Sequence, residues 1–246
     1  MLVKICGITN EGDALLAVAL GADAVGFVFA PSSRQVSVQA VTRIVERLPR
    51  EILTVGVFRN ELPSRVVEIV NGIGLRAAQL HGDEASADAR WIAARVPVTI
   101  KAFPAGHPRI ALVKDYGVSA VLVDGANPGS GQVFDWRLAE GIADPARLIV
   151  SGGLHAGNVA DAIAHLRPMG VDVSTGVESS PGRKDPHKMR AFIAAARQAE
   201  LELGDPGPGS ALDGTFGTDP LAALVQLDPS LDGHEEGEPF NWEIDG

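Results

Sequence analysis

Two residues in this chain carry reactive side chains, and both sit where a short apolar run stops. Cys6, the chain's single cysteine, follows Leu2-Val3-Lys4-Ile5, and Asp124 closes Ala120-Val121-Leu122-Val123. Either side chain could take part in chemistry on a bound small molecule. Each alone has a plainer reading. A lone cysteine is usually a buried apolar thiol, and Asp124 is well placed to cap the loop DGANPGSG that it opens. Whether they act together depends on the elements that carry them.

Short β-rich runs recur at 2–5, 24–29, 53–58, 77–80, 98–103, 120–124, 147–151 and 171–174. Helical spacing fills stretches between them, as at Asp13–Leu20, Val41–Leu48, Ser64–Val70 and Ala156–Leu166. Several of the runs are apolar throughout, as parallel strands covered on both faces should be. A weak repeat, GADAV, GLRAA, GVSAV and GVDVS, begins at Gly21, Gly74, Gly117 and Gly170. Each glycine suits the left-handed cap of a helix that drops into a strand. Units of roughly 25 residues, eight of them in about 200, predict an α/β fold, a (β/α)₈ TIM barrel. A doubly wound open sheet shares the alternation but lacks its dinucleotide glycine fingerprint here.

The last helix is expected from KDPHKM onward, with Asp185 as its N-cap and Pro186 in its first turn. The barrel domain is thus expected over 1–203. Residues 204–246 read as an acidic, Gly- and Pro-rich tail, flexible or peripherally docked, with apolar islands at 221–227 and 239–244.

In a barrel of this kind the active site forms at the C-terminal ends of the strands. Cys6 would end strand 1 and Asp124 strand 6, which are not neighbours, so the two would reach one ligand from different sides. Strands 7 and 8 end in SGGL and VSTGVESSPG. Small residues in these two loops let backbone N–H groups approach an anion, which makes Gly152, Gly153, Ser174, Thr175 and Gly176 the expected phosphate cradle. The implied ligand is a small phosphorylated molecule.

Composition narrows the partners. One cysteine permits no internal disulfide and favours a reducing, cytoplasmic setting, and no basic leader or long apolar segment is evident. The net charge of −10 argues against nucleic acid and anionic membranes. That charge belongs to the tail: residues 201–246 hold eleven Asp and Glu with no Lys or Arg, whereas residues 1–200 hold 20 acids and 21 bases.

The motifs KICGIT, GADAVGFVF followed by SSR, VGVF, QLHG, LVD with GSGQVFDW, SGGL followed by NV, and GVDVSTGVESSPGRKD resemble the phosphoribosylanthranilate isomerase family of tryptophan biosynthesis. The likeness runs in order from residue 2 to about 200. It implies an Amadori rearrangement of phosphoribosylanthranilate, with Cys6 as general base, Asp124 as general acid, and Arg34 holding the anthranilate carboxylate through the paired donors of its guanidinium. Asp172 is expected either to bind sugar hydroxyls or to make a structural hydrogen bond. His81 ends strand 4, either against the aromatic half of the substrate or as a turn histidine. Asp135 and Trp136 read as structural. No metal or organic cofactor is expected, because the iminium formed on ring opening is itself the electron sink. A free thiol titrates near pH ~8.5, so the site has to favour thiolate, and the substrate's own carboxylate would oppose this.

Two alternatives compete. A related barrel isomerase of histidine biosynthesis, or a dual-substrate version, would carry a second phosphate cradle after strands 3 and 4 and an aspartate in place of the strand-1 cysteine. Those loops here read FRNELPS and HGDEASA, without a glycine-rich nest. A noncatalytic barrel whose tail docks a partner would have no use for Cys6, Asp124 and Arg34 together.

Overall fold

A computed structural model of the chain describes residues 1–125 and 147–204. Asp135, Trp136, the loop beyond Gly125 and the tail from residue 205 lie outside the described residues.

Eight parallel strands close into a barrel: β1 (Leu2–Ile5), β2 (Ala24–Val28), β3 (Leu53–Phe58), β4 (Ala77–Leu80), β5 (Thr99–Pro104), β6 (Ala120–Asp124), β7 (Leu148–Val150) and β8 (Gly170–Val173), with β8 returning to pair with β1. Helices α1 (Glu11–Ala19), α2 (Val38–Val45), α3 (Pro63–Ile73), α4 (Ser86–Ala93), α5 (Val159–Leu166) and α6 (Pro186–Glu202) lie between and after the strands. A 3₁₀ stretch, Pro108–Tyr116, stands in the β5–β6 connection. The predicted strands match within a residue or two. The helix starts follow local chemistry: Asn10 accepts from Asp13 N at α1, Ser37 from Ala40 N at α2, and Asp185 from His187 N and Lys188 N at α6, with Pro186 in its first turn.

Gly21, Gly74 and Gly117 adopt positive φ as expected, but Gly170 does not. Arg167 takes the left-handed position after α5, and Gly170 already belongs to β8. A Cβ there would sit 2.7 Å from the Cβ of Leu2, so the glycine serves the close approach of β8 to β1 rather than a cap.

Strand alternation divides the core in two. One apolar cluster joins strand residues such as Val3, Ile5, Val25, Phe27 and Val171 to helix residues such as Ala14, Val41, Val66 and Phe192. The other is drawn from strands and, at Val98, from the residue just before β5, with Met169 packed against it: Leu2, Ala24, Leu53, Val55, Ala77, Val98, Ile100, Ala102, Ala120, Leu122 and Ile149. The second set fills the barrel interior, and the strand positions two residues further on face its mouth.

Candidate active site

Counting by twos from the apolar layer gives the site. From Leu2 the inward positions of β1 are Lys4 and then Cys6. From Leu122 on β6 the next is Asp124, from Ala77 on β4 it is Gln79, and from Ile149 on β7 it is Ser151. Asp172 faces inward on β8, level with Lys4 in register. Together they replace apolar packing with a polar floor, and a pocket of about 380 Å³ opens above it.

That pocket is lined by Cys6, Arg34, His81, Asp124, Gly152, Gly153, Asp172, Ser174 and Thr175, so the structure brings nearly all of the predicted residues together. Gly176 is the exception. A Cβ on it would fall 1.9 Å from the carbonyl oxygen of Leu154, so its role is to let the loops after β7 and β8 touch. Gly152 and Gly153 adopt φ of 86° and 66°, which favour glycine, and the Ser174 hydroxyl oxygen is buried without a hydrogen-bond partner among the described residues. The pocket lining thus includes an unpartnered buried hydroxyl and two glycines, a combination able to receive an anion.

Asp124 sits in a hydrogen-bonded chain. Its Oδ2 lies 3.2 Å from His81 Nε2, its Oδ1 accepts from Gly125 N at 2.8 Å, and Gln79 Nε2 lies 2.9 Å from His81 Nδ1. His81 therefore contacts the carboxylate itself. The loop that carries it is braced from outside the barrel, where buried Lys101 donates to the carbonyls of Leu80, Gly82 and Ala102 and pairs with Glu84 at 2.8 Å. Glu84 in turn accepts from Asn60 N and Gly82 N.

Arg34 lines the pocket, but part of its donor fork is in use. Nε donates to Glu178 Oε1 at 2.7 Å and Nη2 to Oε2 at 2.8 Å, while Lys184 Nζ approaches the same carboxylate at 3.0 Å. Burial pushes the Glu178 carboxyl up, yet the Arg34 hydrogen bonds and the Lys184 charge hold it below the usual range.

Below the thiol, Lys4 pairs with Asp172 at 2.9 Å, both buried. Burial lowers Lys4, but Asp172 and Cys6 outweigh it and the net shift is upward. Burial raises the Cys6 thiol, and the Lys4 charge offsets this only in part. Lys4 and Gln79 escaped the motif reading, although their spacing signals them: each lies two residues before a chemically chosen one, Cys6 or His81, on the same strand. Glu178 and Lys184 lie past β8 in a segment with no periodicity to mark them. Among the described residues no group of three or more His, Cys, Asp or Glu is placed to hold a metal ion, and no helix is long and apolar enough to cross a membrane.

The arrangement gathers small-residue loops, a guanidinium, a thiol and a carboxyl around one pocket. The chain is similar to known proteins in both sequence and structure. A family model described as N-(5'-phosphoribosyl)anthranilate (PRA) isomerase matches residues 3–195. An N-(5'-phosphoribosyl)anthranilate isomerase of Desulforudis audaxviator is 47% identical over 205 residues, covering 80% of this chain and 98% of that one. The crystal structure of phosphoribosyl anthranilate isomerase from Thermus thermophilus superposes with a TM-score of 0.74 at 41% identity, over 80% of this chain and 99% of the other. A phosphoribosyl anthranilate isomerase in complex with reduced 1-(o-carboxyphenylamino)-1-deoxyribulose 5-phosphate gives 0.72 at 41% identity, over 80% and 100%.

Proposed function

This chain belongs to the N-(5'-phosphoribosyl)anthranilate isomerase family, and on that premise we propose that Cys6 and Asp124 are the base and acid of its reaction. Its activity is the isomerisation of N-(5'-phosphoribosyl)anthranilate in tryptophan biosynthesis. The observation that supports the assignment is that a thiol and a carboxyl from non-adjacent strands line one pocket together with Gly152, Gly153, Ser174 and Thr175.

In this reading Asp124 delivers a proton to the furanose oxygen, the C1–O bond breaks, and the anilino nitrogen's lone pair forms an iminium. Cys6, as thiolate, takes the proton from the sugar's second carbon, and those electrons neutralise the iminium to an enolamine. The enolamine tautomerises to the ketone, 1-(2-carboxyphenylamino)-1-deoxyribulose 5-phosphate. Oxidation at the second carbon balances reduction at the first. His81, 3.2 Å from Asp124 Oδ2, orients the acid in this reading. The phosphate sits on the backbone N–H groups after β7 and β8 and on the Ser174 hydroxyl. Arg34, already gripped along its Nε edge, offers its remaining hydrogens to the anthranilate carboxylate, and Asp172 meets a sugar hydroxyl while holding Lys4.

We assign catalysis to residues 1–203 and regard 204–246 as an appended acidic segment, open to an unidentified partner, in keeping with family coverage that stops at 195. A reducing cytoplasmic location suits an enzyme whose base is a free thiol. The test is direct: purified protein given substrate generated in situ should abolish anthranilate fluorescence without added metal. Persistent fluorescence with folded protein would overturn the reading.

A further inference from the structure

Lys4 is fully buried on the strand that carries the thiol, two residues before it, and a charge there is costly unless it serves something nearby. Asp172, its register partner on β8, accounts for one of its hydrogens at 2.9 Å. After Asp172, the Cys6 thiol is the next group whose charge raises the ammonium. Gly26 on β2 shows how the two come together. A Cβ on Gly26 would lie 2.8 Å from Cys6 Sγ and 3.1 Å from Lys4 Nζ, so sulfur and nitrogen share the space a side chain would fill. They are within about 6 Å of each other, the range in which an opposite charge favours the ionised form.

The other charges facing the thiol are already balanced. Arg34, from the loop after β2, and Lys184, from the antiparallel hairpin that Glu178–Ser180 and Arg183–Lys184 form after β8, both reach Glu178. Asp172 opposes thiolate formation, and Asp124 stands on β6 with His81 against it. Lys4 is thus the cation with the largest favourable influence on the sulfur.

We propose that Lys4 is the charge partner of the Cys6 thiolate, a positioning residue that shares its ammonium between Asp172 and Sγ and so sets how much thiolate is available to abstract the substrate proton. This rests on the assignment of Cys6 as the base. When the thiol ionises, the S–H bond breaks and its proton leaves through the pocket, while Lys4 keeps all its hydrogens throughout. The buried ion pair then has a purpose that an apolar pair in its place could not fulfil.

The experiment uses the chain's single cysteine, so that each alkylation is read at one known site. The rate of iodoacetamide modification is followed against pH, without substrate, in wild type, Lys4→Gln and Lys4→Arg. Lys4→Gln keeps a donor for Asp172 but removes the charge. Its alkylation midpoint should rise by about one pH unit, roughly tenfold slower modification at a fixed pH below both midpoints. Lys4→Arg should restore most of the lost rate. In turnover, Lys4→Gln should lose kcat in a way that recovers as pH is raised, with KM little changed. If Lys4→Gln fails to fold, the Lys4→Arg midpoint, which should stay close to wild type, still carries the test. A folded Lys4→Gln with the wild-type midpoint, or a Lys4→Arg midpoint a unit higher than wild type, overturns the proposal. Failure of the base assignment would look different: Cys6→Ala would keep its turnover whatever the alkylation curves show.

Discussion

Replacing Glu178 by glutamine removes one negative charge and almost no volume, which isolates the clamp on Arg34. In the wild type this carboxylate accepts from Arg34 Nε, Arg34 Nη2 and Lys184 Nζ at 2.7, 2.8 and 3.0 Å. The Lys184 side chain is wholly buried and that of Arg34 is 14% exposed, so the variant strands one cation in the interior and loosens a second at the pocket edge. Breaking a buried pair by removing one partner costs about 3–5 kcal/mol, and the partial exposure of Arg34 favours the lower figure. At about 2–4 °C per kcal/mol for a domain of this size, a 3 kcal/mol loss lowers Tm by roughly 6–12 °C. The pH dependence has a definite sign. The folded-state carboxyl is held below its ordinary value, so its stabilisation is complete above the unfolded carboxyl range and is lost as pH falls through the folded value. Circular-dichroism melts of wild type and Glu178→Gln should therefore converge as the pH is lowered. Steady-state assays at neutral pH should show KM raised severalfold while kcat changes less. A variant with wild-type Tm and KM would refute the clamp.

Cys6→Ala and Asp124→Asn should each lower turnover by roughly 10²–10⁴ with the fold intact, and near wild-type turnover in either would sink its assignment. Arg34→Ala should chiefly raise KM, and an unchanged KM would remove it from carboxylate binding. A crystal soaked in inorganic phosphate should show one anion against Gly152, Gly153, Ser174 and Thr175, whereas an equally occupied second site after β3 and β4 would revive a two-phosphate substrate. Removing residues 205–246 should leave turnover and Tm nearly unchanged, while a large loss of either would make the tail part of the fold.

How much of this was legible in the sequence depended on alternation. Continuously apolar runs alternating with helical spacing announced the barrel, and glycine-rich ends of strands 7 and 8 announced the cradle, because both signals are local. The two-residue alternation of strand faces, carried from Leu2, Leu122 and Ala77, reaches Lys4, Asp124 and Gln79, so two of the site's polar residues were available to counting though neither was singled out within its motif. Gly170 was misread for a related reason: a helix cap and a tight strand crossing both call for glycine, and only the position of Leu2 distinguishes them. Arg34 marks the boundary of what spacing can tell. The family resemblance implied a guanidinium waiting for a carboxylate, and a carboxylate is there, but it is Glu178, 144 residues along the chain. A pairing at that separation leaves no periodic trace and exists only once the barrel has closed, when the hairpin beyond β8 lies against the loop after β2. Holding an arginine by its Nε edge costs some of its donors and fixes the plane of the rest. A guanidinium that must meet one carboxylate of the substrate in one orientation is better served by such a grip than by a full complement of free donors.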